Sequence, residues 1–190
     1  MSIKRLLIAN RGEIAVRIVR AAKAMGIETI QVYSEADADM LACKQADVTV
    51  CVGGAAAKDS YLNIPNILAA AKETDADAVH PGYGFLAESA KFAQAVVDAG
   101  MIWVGPAAAT IDRMGDKVAA RQAAQAAGVP VVPGSKGRID KIDEAVEVAE
   151  RIGYPVMIKA AAGGGGKGIR IAQDATELRS LAPQAQTEAA

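Results

Sequence analysis

The 190-residue chain carries 21 basic and 22 acidic side chains, a net charge of −1, and is 52% apolar with only 4% aromatics. This balance excludes a basic nucleic-acid arm and a polybasic membrane patch, and the apolar run near the start, Leu6 to Ala9, is far too short for a secretory leader or a membrane span, so a cytoplasmic protein is expected. A chain of this length buries roughly 70% of the surface its unfolded form exposes, enough for a core without staples, and suits one domain plus part of another.

Leu6-Leu-Ile-Ala9 reads as a strand, and the following stretch from Glu13 to Met25 places Ile14, Ile18, Ala21, Ala22 and Met25 on one helical face, closed by Gly26. Strands are predicted at 29–33 and 48–52 with a helix near 40–45 between them. A helix follows over 61–74, with Pro65 tolerable only in its first turn. Then come a strand at 78–80, a helix over 89–99 and a strand at 102–104. Near-continuously apolar strands separated by amphipathic helices predict a parallel sheet covered on both faces, hence a doubly wound α/β domain over about 1–110.

After Gly105-Pro106 the pattern becomes a helical linker over 111–133, interrupted near Gly115 and ended by Gly128. A second unit opens at 134 with a helix over 143–152, a strand over 156–160, a glycine loop, a strand over 169–172 and a helix from about Thr176. The pattern stops inside that helix at Ala190, so the second domain, 134–190, is expected to be cut short. Cys43 and Cys51 form no metal or disulfide pattern and are expected to be buried thiols in a reducing compartment.

Two stretches carry chemistry. The first is Lys159-Ala-Ala-Ala-Gly-Gly-Gly-Gly-Lys-Gly168. A glycine loop between strands lets successive backbone N–H groups approach an anion closely, as a nucleotide phosphate requires. A lysine inside Val-Met-Ile-Lys pays a desolvation cost unless an anion pairs with it. The alternative is a surface hairpin with a snorkelling lysine. Gly166-Lys167 lacks the following Ser or Thr of a P-loop. The second stretch, His80-Pro-Gly-Tyr-Gly-Phe-Leu-Ala-Glu88, lies at the carboxyl end of a predicted parallel strand, where such sheets bind ligands. It contains G-x-G-x-x-A, but no acidic residue stands about 20 positions on to hold a ribose, which argues against NAD. His80, the sole histidine, excludes a histidine-rich metal site and reads first as a structural residue. Glu88 reads equally as a cap for the next helix or as a substrate contact.

Taken together, Ile8-Ala-Asn-Arg-Gly-Glu-Ile-Ala-Val-Arg17, Ser60-Tyr-Leu-Asn-Ile-Pro65, His80 to Glu88, Met114-Gly-Asp-Lys117 and Lys159 to Gly168 resemble the N-terminal part of biotin carboxylase, in order and over essentially the whole chain. The resemblance implies a Rossmann-like pre-ATP-grasp domain, a helical linker and a partial ATP-grasp domain whose lid carries the glycine loop. It implies ATP-dependent carboxylation of biotin by bicarbonate through carboxyphosphate. By the same resemblance Lys117 and Lys159 bind phosphate, and Gly165 and Gly166 close over the nucleotide, with Gly163, Gly164, Lys167 and Gly168 beside them. Tyr83, Gly84 and Glu88 wall a cleft for biotin or bicarbonate. Ala87 and Ile169 depart from the residues common there, as small or apolar exchanges that tune packing. Mg²⁺ ligands, the bicarbonate base and the biotin-holding arginine are expected beyond residue 190, so this chain alone is expected to be inactive. A biotin carboxyl carrier protein or domain, a carboxyltransferase component and a homodimer of the full-length protein are the implied partners. The competing readings are another ATP-grasp ligase, such as a carbamoyl-phosphate synthase, and a non-catalytic module that binds nucleotide or a partner.

Overall fold

The computed structural model describes residues 2–135, 137–159 and 168–189 and divides into two compact units, residues 1–115 and 116–190. The first unit alternates β1 (Arg5–Ile8), α1 (Gly12–Ala24), β2 (Glu28–Tyr33), α2 (Leu41–Gln45), β3 (Val48–Cys51), α3 (Ile64–Glu73), β4 (Ala78–His80), α4 (Ala90–Asp98), β5 (Ile102–Trp103) and α5 (Ala108–Gly115). All five strands are parallel in the order β3-β2-β1-β4-β5. This is the doubly wound sheet that the sequence pattern predicts.

Strand alternation sends successive side chains to opposite faces, and β1 divides its residues accordingly. Leu7 enters a core with Ile30, Val32, Ile67, Phe92 and Val96, whereas Leu6 and Ile8 enter another with Ala15, Ile18, Val19 and Ala42. Helices α1 and α2 therefore cover one face, and α3 and α4 the other. β3 at the sheet edge has only one covered face and alternates between half-buried and exposed residues. That alternation leaves Cys51 exposed, and Cys43 is only half-buried, which corrects the expectation of buried thiols.

Local chemistry sets the helix ends. Asn63 accepts the N–H of Asn66 at 3.1 Å with Pro65 in the first turn of α3, so that helix opens at Ile64 and not at Tyr61. Ser89 accepts the N–H of Phe92 at 3.2 Å and caps α4. Glu88, a candidate for that cap in the sequence, ends a 3₁₀ turn over Phe85–Glu88 and is exposed.

The second unit contains α6 (Lys117–Ala126), α7 (Ile142–Ile152), β6 (Val156–Lys159), β7 (Ile169–Ala172) and α8 (Ala175–Ala189). Asp116 caps α6 by accepting the N–H groups of Val118 and Ala119 at 2.9 and 2.7 Å, which explains the break after Gly115. β6 and β7 pair antiparallel, Lys159 opposite Ile169 and Met157 opposite Ile171. Val146, Ala149, Ala172 and Leu178 form the core, with Val156 and Ile158 packed against it. No helix among the described residues is long and apolar enough to cross a membrane.

Candidate functional sites at the sheet switch point and on the hairpin face

β1 is followed by a helix on one face of the sheet, and β4, its neighbour, by a helix on the other. The carboxyl ends of these two strands therefore flank the crevice that a doubly wound sheet opens where its winding reverses. Asn10, Arg11 and Gly12 follow β1, and residues 81–88 follow β4.

Asn10 is 3% exposed and joins the two loops. Its Nδ2 donates to the carbonyls of Pro81 at 2.7 Å and Tyr83 at 2.8 Å, and its Oδ1 accepts the N–H of Arg11. From the β2 side, buried Gln31 donates through Nε2 to the Asn10 carbonyl at 2.7 Å. Gly82 has φ +66°, and a Cβ there would meet Asn10 Nδ2 at 2.8 Å, so a side chain is excluded both by backbone conformation and by space. The Gly82 N–H donates to His80 Nδ1 at 3.0 Å, which fixes the neutral imidazole with its proton on Nε2; burial lowers the pKa of His80 and favours that neutral form. Gly84 follows at φ +63° and Phe85 at φ +42°. Tyr83 is 61% exposed and its hydroxyl donates to Glu13 Oε1 on α1. The carboxylate that accepts this proton raises the phenol pKa.

Beside this loop, the Arg11 guanidinium lies over the rings of Tyr61 and Phe85, 5.5 and 5.6 Å from their centroids, and pairs with Asp37 at 3.2 Å. The two rings stack at 5.4 Å. Tyr61 is fully buried; its hydroxyl donates to Asp37 at 2.8 Å and accepts the Ser34 N–H, and burial pushes its pKa up to about 12. Burial raises the pKa of Asp37, yet hydrogen bonds from Ser34, Tyr61 and Arg11 outweigh it and hold the carboxyl below its ordinary value. The switch-point end of the sheet is thus a rigid polar scaffold, with Tyr83 and Glu88 turned to solvent around Gly84.

The second candidate is the outer face of the β6–β7 hairpin. One face packs on α7 and α8; the other presents Met157, Lys159, Ile169 and Ile171, all exposed. This corrects the expectation that Lys159 is buried in its strand. Among the described residues the second unit has two strands with helices on one side, so alternate positions have no covering layer and Lys159 falls on the open side. Lys159 and Ile169 flank the loop entrance. Gly168 at its end has φ +68°, while Gly163, Gly164, Gly165, Gly166 and Lys167 lie outside the described residues. Lys117 holds the first helical position of α6. An ammonium beside an open apolar face suits a ligand with a flat apolar ring at one end and anionic groups at the other.

The sequence names Tyr83, Gly84 and Lys159 as candidates; it does not name Asn10, Gln31 and Asp37, whose hydrogen bonds hold the switch-point end of the sheet. For Asn10 alone the sequence offered a signal, a polar residue directly after the apolar strand β1 and two positions before α1.

Residues 2–111 match the family "Biotin carboxylase, N-terminal domain", and residues 116–190 match "Carbamoyl-phosphate synthase L chain, ATP binding domain". Biotin carboxylase 1 of Bacillus subtilis is 57% identical over 188 residues, 99% of this chain and 42% of that protein. The crystal structure of a biotin carboxylase–βγ-ATP complex from Campylobacter jejuni superposes with a TM-score of 0.92 at 48% identity, over 99% of this chain and 42% of that one. The biotin carboxylase domain dimer of Hydrogenobacter thermophilus 2-oxoglutarate carboxylase, in complex with MgADP, ADP and bicarbonate, gives 0.90 at 44% identity, over 100% of this chain and 42% of that one. The chain spans about two-fifths of the length of these relatives.

Proposed function

The chain belongs to the biotin carboxylase family, and on that premise we propose that it forms the N-terminal part of an ATP-dependent ligase that carboxylates carrier-bound biotin with bicarbonate. The observation that carries the nucleotide half of this reading is the open hairpin face, on which Lys159 stands beside Ile169 and Ile171 at the entrance to the glycine loop. Lys159 and Lys117 supply cations to the phosphates, while Gly165 and Gly166, with Gly163, Gly164, Lys167 and Gly168, supply N–H donors that close over them. Transfer of a phosphoryl group from ATP spreads charge over non-bridging oxygens, and preset cations and N–H groups stabilise that charge. ATP with Mg²⁺ supplies the phosphoryl group that activates bicarbonate. The switch-point crevice is the wall for biotin or bicarbonate, with Tyr83, Gly84 and Glu88 lining it. A biotin carrier and a carboxyltransferase component are the partners of such an enzyme, a homodimer its assembly and the cytoplasm its compartment.

A carbamoyl-phosphate synthase reading rests on the match over 116–190. That span lies within the alignment to the Bacillus subtilis biotin carboxylase as well, so it describes a shared ATP-binding module and does not favour the alternative. The match over residues 2–111 supports the biotin enzyme.

The test is calorimetric titration of Mg·ATP into the chain, beside Lys159→Ala and Lys117→Ala. Loss of one ammonium from a phosphate contact is expected to weaken binding about tenfold or more, roughly 1.4 kcal/mol. Equal affinity in wild type and Lys159→Ala removes the hairpin face from the nucleotide site.

A further inference from the structure

Residues 82–85 adopt a conformation that an isolated loop would not keep. Gly82, Gly84 and Phe85 all have positive φ, at +66°, +63° and +42°, and a non-glycine residue there persists only where the surroundings over-determine it. Two anchors do so from below. Phe85 is stacked on Tyr61 under the Arg11 guanidinium, and both amide protons of Asn10 are spent on the carbonyls of Pro81 and Tyr83. The chemistry of this second anchor is selective. Two carbonyl acceptors 2.7 and 2.8 Å from one nitrogen demand an NH₂ group; a carboxylate of the same shape would set oxygen against oxygen. Gln31 holds the Asn10 backbone carbonyl from the β2 side, so the backbone that carries the amide is fixed in place. The result is that Tyr83 is held outward, with its hydroxyl on Glu13.

We propose that Asn10 is a positioning residue for the biotin-binding step: its amide locks the 81–84 loop so that Tyr83 and Gly84 present a preformed wall to the ureido ring of biotin. This rests on the reading of that crevice as the biotin cleft. Asn10 touches no substrate, and its effect passes through the two carbonyls it holds. A preset loop spares the ordering that the substrate would otherwise impose at binding, so releasing it weakens biotin without moving the nucleotide, whose contacts lie on the second unit.

The experiment uses the chain extended to its relatives' full length, with free d-biotin as the probe, bicarbonate saturating, and KM measured separately for biotin and for Mg·ATP. Asn10→Asp is expected to raise KM for biotin at least tenfold and to leave KM for Mg·ATP within twofold. A merely structural role lowers the amount of folded enzyme and so reduces kcat while moving neither KM. Should Asn10→Asp fail to fold, Gly82→Ala pushes on the same contact from the opposite side and is expected to give the same KM split. Equal movement of both KM values, or an unchanged biotin KM in a folded variant, overturns the proposal. A wild-type enzyme with nucleotide binding but no biotin-dependent turnover overturns the reading of the cleft, and this proposal with it.

Discussion

His80 is the one histidine of the chain, so its titration is separable from every other. Its Nδ1 accepts the Gly82 N–H only while unprotonated, and burial holds its folded pKa below the ordinary value of 6.5. The unfolded chain therefore takes up the proton first as pH drops. The stability this arrangement contributes is complete above about pH 6.5 and is lost as pH falls through the lower folded value. Urea midpoints measured from pH 8 to 5 are expected to decline below pH 6.5 in the wild type and to stay flat over that window in His80→Gln. The sequence offered His80 as structural on general grounds, and its hydrogen bond from Gly82 accords with that; the space beside Gly82 is taken by Asn10. The sequence did not offer Asn10, because a polar residue after a strand is ordinary until one knows which loop lies across from it. Cys51 and Lys159 were misplaced for one shared reason. Local hydrophobicity marks a strand, whereas the number of covered faces depends on neighbours that the stretch itself does not contain.

Helix α4 illustrates how a cap, an apolar face and a neighbouring strand act as one piece. Ser89 starts it, Phe92, Ala93 and Val96 face the core, and Phe92 meets Trp103 of β5 edge to face at 5.4 Å and 89°. Phe92→Ala removes a fully buried ring and its edge-to-face contact with Trp103, and is expected to cost about 3–5 kcal/mol, read as a lowered urea midpoint. Trp103 is the only tryptophan, so its emission is expected to shift red in the folded variant as its packing loosens. Elements such as β1, β2 and α1 were legible because pattern and burial coincide in them. The start of α3 was not, since Tyr61 looks like a helix residue by polarity yet spends its ring on Phe85 and its hydroxyl on Asp37.

The two units differ in what holds them. Among the described residues, the first has a five-stranded sheet with a core on each face, whereas the second has a two-stranded sheet over one small core. Buried apolar area contributes roughly 25 cal/mol per Å², so the second unit is expected to unfold at lower denaturant. Trp103 fluorescence reports the first unit alone, while far-UV circular dichroism reports both. In urea, the dichroism is expected to begin falling before the fluorescence, and coincident curves would show a single cooperative unit instead. The doubly wound pattern of the first unit was readable from the alternation of strands and helices. The strand order was not, because nothing in the local sequence says that β1 belongs in the centre. That central place has a consequence for the chain during its manufacture. β1 pairs with β2 soon after both exist, but its other edge waits for β4, about 70 residues later. At a ribosomal pace of about 5–20 residues per second, Leu6 to Ile8 spend roughly 4–14 s as an open, apolar template. A factor that shields a nascent chain therefore has a task at Leu6 to Ile8 until β4 is made.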